Sequence, residues 1–336
     1  MKQCLLLVQT VCVLCLYMAK SYAQTPDVVI PKPSEVILSE GVYTYVDVPE
    51  VKVSYTKGKQ PPEGYELTVT RRGIKIMASS QAGEFYARQT LEQMTRGNTI
   101  KQIQCCQIKD APRFPYRGLH VDVSRHFRSI DFLKKQIDAM AMFKMNRMHL
   151  HLTDAAGWRI QIDAYPRLTS FAAWRPQHRW KQWWAGKRLY AEEGQEGVYG
   201  GYYTKEQIRE LVEYASQRHI EVIPEIEMPS HSEEVLAAYP ELGCSGEAYK
   251  DSDFCVGNDA VFEFLQTVLS EVMEVFPSKY IHIGGDEAGK QHWKTCPKCQ
   301  QRMKDEGLSG VDELQSYLIR RIERFVASKG RKIIGW

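Results

Sequence analysis

Two adjacent carboxylates, Asp286 and Glu287, close the segment His282-Ile283-Gly284-Gly285-Asp286-Glu287, directly after an apolar run at 280–283. Neighbouring acids repel each other. An ionised Asp286 therefore disfavours ionisation of Glu287, and the pair can divide its work between an anion and a proton donor. The two glycines let the backbone turn sharply and approach a ligand closely. The competing reading is an ordinary acidic turn after a strand, because perturbed carboxylates also occur in structural networks.

Other residues suited to polar chemistry fall in equivalent places. Arg125 and His126 follow a strand-like run at 118–123, and Asp154 follows another at 147–152. Glu225, Glu227 and His231 sit at and beyond the end of 221–226, and Trp336 closes 332–336. In a barrel the site lies at the C-terminal ends of the strands. Acids, a histidine, an arginine and a tryptophan gathered there describe a pocket for a polar, ring-shaped substrate.

The elements that must position these residues are legible as an alternation. Helical patterns at 130–143, 204–218, 261–276 and 314–328 separate the strand-like runs 118–123, 147–152, 221–226, 280–283 and 332–336. The second of these helices opens on Thr204-Lys205-Glu206-Gln207, a capping box. Five strands separated by helices predict a parallel α/β sheet, either a (β/α)8 barrel or a doubly wound fold. No Gly-x-Gly-x-x-Gly opens any of the helices, which leaves the dinucleotide-binding version without support. Before Pro112 and Pro115 the pattern differs: short runs at 42–48, 65–70 and 74–79 and a helical stretch at 84–95 predict a small α+β domain. The expected boundaries are 1–23, 24–111 and 112–336. The connection 154–203 carries Trp158, Trp174, Trp180, Trp183 and Trp184, and is either a wall for a sugar ring or a self-packed lobe.

Of the 336 residues 43% are hydrophobic and 25% charged, with a net charge of +3 and no basic block, which excludes a disordered chain and gives no footprint for nucleic acid. Lys2, an apolar stretch at 5–18 and Ser21-Tyr22-Ala23 predict a secretory signal peptide over 1–23. That stretch is shorter than the roughly 20 residues of a bilayer span, so no membrane span is expected in the mature chain. The protein is expected to be exported, periplasmic or secreted by a bacterium. Six cysteines remain beyond residue 23: Cys105, Cys106, Cys244, Cys255, Cys296 and Cys299. Cys244 and Cys255 bracket a short polar loop and form the best candidate disulfide. Cys296-Pro297-Lys298-Cys299 has the spacing of half a zinc site with His292 nearby, but no second pair follows it, so a local disulfide or two free thiols is expected. No metal and no cofactor is expected.

Four blocks, in order, carry a family resemblance. They are Arg117-Gly118-Leu119-His120-Val121-Asp122-Val123-Ser124-Arg125-His126-Phe127; His149-Leu150-His151-Leu152-Thr153-Asp154 with Gly157-Trp158-Arg159; Pro224-Glu225-Ile226-Glu227-Met228-Pro229-Ser230-His231; and the segment 282–287. Together they resemble the β-N-acetylhexosaminidases of glycoside hydrolase family 20. The resemblance implies a (β/α)8-type catalytic barrel preceded by a small α+β domain. It also implies retaining, exo-acting hydrolysis of terminal β-linked N-acetylglucosamine or N-acetylgalactosamine from a glycan or amino-sugar oligosaccharide, assisted by the substrate's 2-acetamido group. By resemblance Glu287 is the general acid and base, and Asp286 orients and charge-stabilises the acetamido group. Arg125 binds ring hydroxyls, Asp154 and His231 form a polar pair supporting the acid, and Trp336 lines the acetamido pocket. Chemistry points the same way, because adjacent carboxyl groups cannot easily straddle a sugar as the pair in a nucleophile-using retaining enzyme does, about 5 to 5.5 Å apart.

Three positions depart from the family's commonest pattern: Ala155 in place of a second aspartate, Glu227 in place of aspartate, and Ser230 in place of glycine. Glu227 adds a methylene that could shift His231. The chain ends on its fifth strand, whereas the resemblance implies eight, with a tyrosine, further tryptophans and an acid in the missing part. The sequence is therefore expected to stop within the barrel. The alternatives are a non-catalytic carbohydrate-binding remnant or inactive fragment, and a metal-dependent hydrolase built on His149-x-His151, which share a strand face.

Overall fold

The computed structural model describes residues 25–336 apart from 57, 59 and 60. The expected signal peptide at 1–23 lies outside the described residues. Among those described, no helix is long and apolar enough to cross a membrane.

The contacts divide the described residues into two compact units, those up to 115 with 142–144, and 116–141 with 145–336. In the first, β1 (Glu35–Thr44), β2 (Val51–Tyr55), β3 (Tyr65–Thr70), β4 (Gly73–Ala78) and β5 (Gln102–Asp110) form one sheet in the order β1-β5-β3-β4-β2. Its pairings are antiparallel except for β2 with β4. Strands β3 and β4 alternate buried and less buried residues, and helix α1 (Gln81–Thr95) covers the buried face with Tyr86, Ala87, Leu91 and Met94. Ser80 caps the helix by accepting from the Gly83 N–H at 3.2 Å. Lys144 Nζ is held at 2.9 Å by both Asp110 and the Tyr65 hydroxyl, so a buried ammonium is paired rather than stranded.

In the second unit β6 (Gly118–Asp122) leads to α2 (Ile130–Met142) and β7 (Arg147–His151). A lobe follows, with α3 (Arg167–Ser170), β8 (Trp174–Arg175), α4 (Trp180–Ala185) and β9 (Tyr199–Gly200). The series continues through α5 (Lys205–Ser216), β10 (Glu221–Glu225), α6 (Glu233–Ala238), α7 (Asp259–Val275), β11 (Tyr280–His282), α8 (Pro297–Asp305), α9 (Val311–Ser328) and β12 (Lys332–Ile334). Strands β6, β7, β10, β11 and β12 are all parallel and stand side by side in chain order. A doubly wound sheet reverses its strand order at a switch point. No reversal occurs here, and of the two parallel folds the sequence allows, the arrangement is that of the barrel.

The helices pack through apolar stripes. Leu314, Leu318, Ile322 and Val326 recur every four residues on α9, and α7 buries eight apolar side chains from Val261 to Val275. The capping box at Thr204 is formed in full. The register decides what the strand ends bring together: Asp122 pairs with His151, His151 with Glu225, and Glu225 with His282, one row across the sheet. Two residues earlier, and so on the same face, His120 pairs with His149.

The tryptophan lobe packs on itself. Trp158 and Trp183 are fully buried, and their indole N–H groups donate to Ile160 O at 2.6 Å and Leu189 O at 2.9 Å within the lobe. Trp180 stacks on Trp184.

Candidate active site

Glu225, at the end of β10, is the hub of the strand-end row. It is fully buried, accepts from His149 Nε2 at 2.8 Å, from His151 Nδ1 and from the Trp336 indole at 2.9 Å, and lies 2.9 Å from His282 Nδ1. Burial alone would raise its pKa. The hydrogen bonds from the surrounding histidines outweigh it and hold the carboxylate ionised, far below the usual range.

A second chain of contacts runs from this hub to the acid pair. His151 Nε2 lies 3.3 Å from Asp154, which also pairs with the Arg125 guanidinium and lies 3.5 Å from His231 Nδ1. The far nitrogen of His231 is 3.7 Å from Asp286 and 3.4 Å from Glu287. Desolvation opposes ionisation of Asp154, but hydrogen bonds from His151 and His231 and the Arg125 charge lower its pKa to about 2. The hydrogen bond to Asp154 raises His231 to about 9. Burial pulls His151 down, yet its bonds to Asp154 and Glu225 lift it to about 10. Asp154, His151 and His231 are thus charged together near neutral pH, a fixed polar floor beneath Asp286 and Glu287.

The backbone presents the pair on a tight turn. Gly284 and Gly285 have φ of 63° and 104°, and Glu287 and His231 themselves lie in the left-handed region at 50° and 54°. Non-glycine residues rarely adopt such conformations, and they gather where geometry serves a site. A Cβ on Gly284 would stand 1.7 Å from the Glu227 carboxylate, so any other residue there would displace that side chain. Ser230, one of the departures from the family pattern, donates its hydroxyl to the Asp286 carbonyl and ties the two loops together. Glu227, the other polar departure, donates its backbone N–H to Thr153 Oγ1 at 2.8 Å, while burial and the neighbouring Glu225 and Asp286 charges raise its carboxyl to about 8. Glu227 Oε2, His231 Nε2 and Asp286 Oδ1 are buried without hydrogen-bond partners. Buried polar atoms are rarely left so, and three converging ones mark a place for a ligand's polar groups.

Of the residues singled out in the sequence, Arg125, Asp154, His231, Asp286 and Glu287 form one contiguous group. Trp336 joins it through Glu225, its ring 4.9 Å from His282 and 5.6 Å from His149. His126 lies apart, against Tyr199 at 5.3 Å. His149 and His151 share a face, but both are hydrogen-bonded directly to Glu225. The hub role of Glu225 with His282, and the clamping roles of Arg159 and Arg175, escape the sequence reading. Arg159 is buried with its guanidinium on the carbonyls of Val123, Ser124, Ala156, Ala173 and Gly201, and Arg175 holds the Arg125 carbonyl at 3.0 Å. A charged residue beside a strand end was the only available signal.

The cysteines correct an expectation. Cys244 and Cys255 do not pair, and all six described cysteines are free thiols. Residues 243 and 254 are joined by an antiparallel bridge, which closes the loop without a disulfide.

Comparison with known proteins decides the family. The descriptions "Glycosyl hydrolase family 20, domain 2" and "Glycosyl hydrolase family 20, catalytic domain" match residues 40–111 and 114–336. The chain belongs to glycosyl hydrolase family 20. A family relative, the beta-hexosaminidase of Porphyromonas gingivalis, is 44% identical over 290 residues, covering 82% of this chain and 35% of that protein. The beta-hexosaminidase of Vibrio furnissii is 39% identical over 290 residues, covering 81% and 45%. Among solved structures, the exo beta-N-acetylglucosaminidase of Vibrio harveyi in complex with N-acetylglucosamine superposes with a TM-score of 0.82 at 30% identity, covering 94% of this chain and 55% of the other. The Bacteroides fragilis beta-N-acetylhexosaminidase gives 0.78 at 32% identity, covering 92% and 66%. This chain thus spans between a third and two thirds of the length of these family 20 proteins.

Proposed function

We propose that the site removes terminal β-linked N-acetylhexosamine residues from glycans, with retention, using the substrate's own 2-acetamido carbonyl as nucleophile. Glu287 protonates the glycosidic oxygen and later activates water. Asp286 holds the acetamido N–H and balances the positive charge that develops as its carbonyl closes on the anomeric carbon. Arg125 meets ring hydroxyls, the Asp154 and His231 pair fixes the acid, and Trp336 borders the acetamido group. An exported protein meeting amino-sugar oligosaccharides outside the cytoplasm suits the leader-like segment at 1–23.

One observation carries the reading: Asp286 and Glu287 stand together on one turn, while the carboxylates at the neighbouring strand ends are buried. Glu225 is saturated by histidines, Asp154 is held by Arg125 and two histidines, and Glu227 is buried against Gly284. Asp286 and Glu287 meet the same nitrogen of His231 from one turn, so they share a side instead of facing each other across a gap. A pair so placed does not straddle a sugar as the two carboxyl groups of a nucleophile-using retaining enzyme do. The relatives' names, beta-hexosaminidase and exo beta-N-acetylglucosaminidase, support the same substrate class.

The test is hydrolysis of chromogenic β-N-acetylglucosaminide and galactosaminide. It is run on this chain and on a chimera continued past Trp336 with the Porphyromonas gingivalis sequence. We expect Glu287-dependent turnover, a β-anomer as first product, and rates that fall as fluorine replaces hydrogen in the acetamide. Sugar binding without turnover in both proteins would sink the hydrolase reading, and rates indifferent to fluorination would sink the acetamide's role.

A further inference from the structure

Outside the site just described, Cys244, Cys255, Cys296 and Cys299 converge, with one sulfur from each within 4.8 Å of all the others. Cys255 Sγ is 3.6 Å from Cys296 Sγ and 3.7 Å from Cys299 Sγ, and Cys244 Sγ is 3.8 Å from Cys299 Sγ. Four sulfurs bound at about 2.3 Å around a tetrahedral zinc ion stand about 3.8 Å apart, whereas a disulfide brings two to about 2.05 Å. The observed spacings match the edge of the tetrahedron. Cys255, Cys296 and Cys299 are buried and Cys244 partly so, which makes the cluster closed rather than open to a reacting water.

The backbone around the cluster is built to the same end. Cys296 is the N-cap of α8 with Pro297 as its first residue, so Cys299 lies in the first helical turn, where the positive end of the helix favours a thiolate. The Gly257 backbone N–H hydrogen-bonds the Cys299 sulfur, and a Cβ on Gly257 would stand 2.2 to 2.4 Å from the Lys298 and Cys299 backbone. That glycine is what lets the Cys255 loop approach the Cys296-x-x-Cys299 turn.

We propose that these four cysteines hold a structural zinc ion. Binding exchanges four thiol protons for one Zn2+, with no change of oxidation state, and a thiolate set of this geometry selects zinc among the common divalent ions. The ion would stitch the loop around 243–257 to the segment 292–299. The first of these loops already reaches the acid pair's neighbourhood, since Asp253 accepts the Lys290 N–H at 2.7 Å, three residues past Glu287. The same loops line a cavity of about 480 Å3 that includes Asp251, Ser252, Gln291 and His292. Zinc is thereby a stay for the wall beside the catalytic turn and takes no part in bond cleavage.

Elemental analysis of this whole chain, purified without chelator and desalted, tests the assignment. The expected result is about one zinc per chain, released in step with titration of four thiols by a mercurial reagent. Replacement by Co2+ should give the intense visible bands of tetrahedral thiolate coordination. C255S and C299S should lose the metal at least fivefold, and C106S should keep it. Zinc-free protein carrying two disulfides, zinc-free protein with all four thiols reduced after zinc is offered, or stoichiometric iron in place of zinc would each overturn the proposal. The decisive measurement is made on the unaltered chain, so a variant that fails to fold does not blunt it.

Discussion

Glu225 and Glu287 are glutamates at the ends of neighbouring strands, and they could hardly be treated more differently. The Glu225 side chain has no exposure and is ringed by histidine and tryptophan donors. The Glu287 side chain is 76% exposed, with the His231 ring 3.4 Å away as its ion-pair contact. A carboxylate whose hydrogen bonds are complete is scaffold, because moving a proton onto it would break several contacts at once. One left incomplete can change protonation and partner within a reaction. The fold separates the two jobs by a glycine turn: Glu225 pairs with His282 on the neighbouring strand, and Glu287 lies five residues beyond it.

That contrast can be broken from either side. Glu287→Gln should lower kcat by about 10²–10⁴ in whichever protein turns over substrate, while moving stability by less than about 0.5 kcal/mol. Glu225→Gln should do the reverse, leaving buried histidines without their anion and destabilising the fold by about 3–5 kcal/mol in urea titrations. If the two variants lost activity and stability in parallel, the division of labour would be wrong. Glu227 sharpens the comparison as an intermediate case. Its folded carboxyl is raised from 4.5 to about 8, so the folded state holds a proton the unfolded state has lost, and stability falls as pH rises across that window. Glu227→Gln should therefore stabilise by on the order of 2 kcal/mol more near pH 9 than near pH 5, read from thermal melts in the two buffers. Thr204→Ala, remote from both carboxylates, should cost about 1 kcal/mol and leave the pH profile unchanged.

Much of this was legible because local pattern and tertiary role agree. The strand runs at 118–123, 147–152, 221–226, 280–283 and 332–336 each contain the observed strand, since short apolar runs between helical patterns suit a parallel sheet. The helix Pro297–Asp305 was not legible: it buries only Cys299 and Met303, too little apolar face to show a period. The cysteines misled for a related reason. Spacing within Cys244–Cys255 and within Cys296–Cys299 is local information, whereas the sulfurs that meet are 41 to 55 residues apart. Asp286 and Glu287 stood out as adjacent acids, but the saturation of Glu225 depends on register between three strands, which no single segment encodes. The tryptophans at 158 and 183 could have faced a ligand or each other, and composition alone does not choose.

Arg159 has a consequence for motion. Its guanidinium is fully buried with no carboxylate among its hydrogen-bond partners, and it ties the strand end at 123–124 to the lobe carbonyls at 156, 173 and 201. Lifting the lobe would break the charge-assisted hydrogen bonds from Arg159 to the Val123 and Ser124 carbonyls together. The lobe is accordingly a fixed jamb instead of a door. Its central amides should exchange with solvent only as slowly as the sheet itself, and any ligand must enter past a boundary that does not swing.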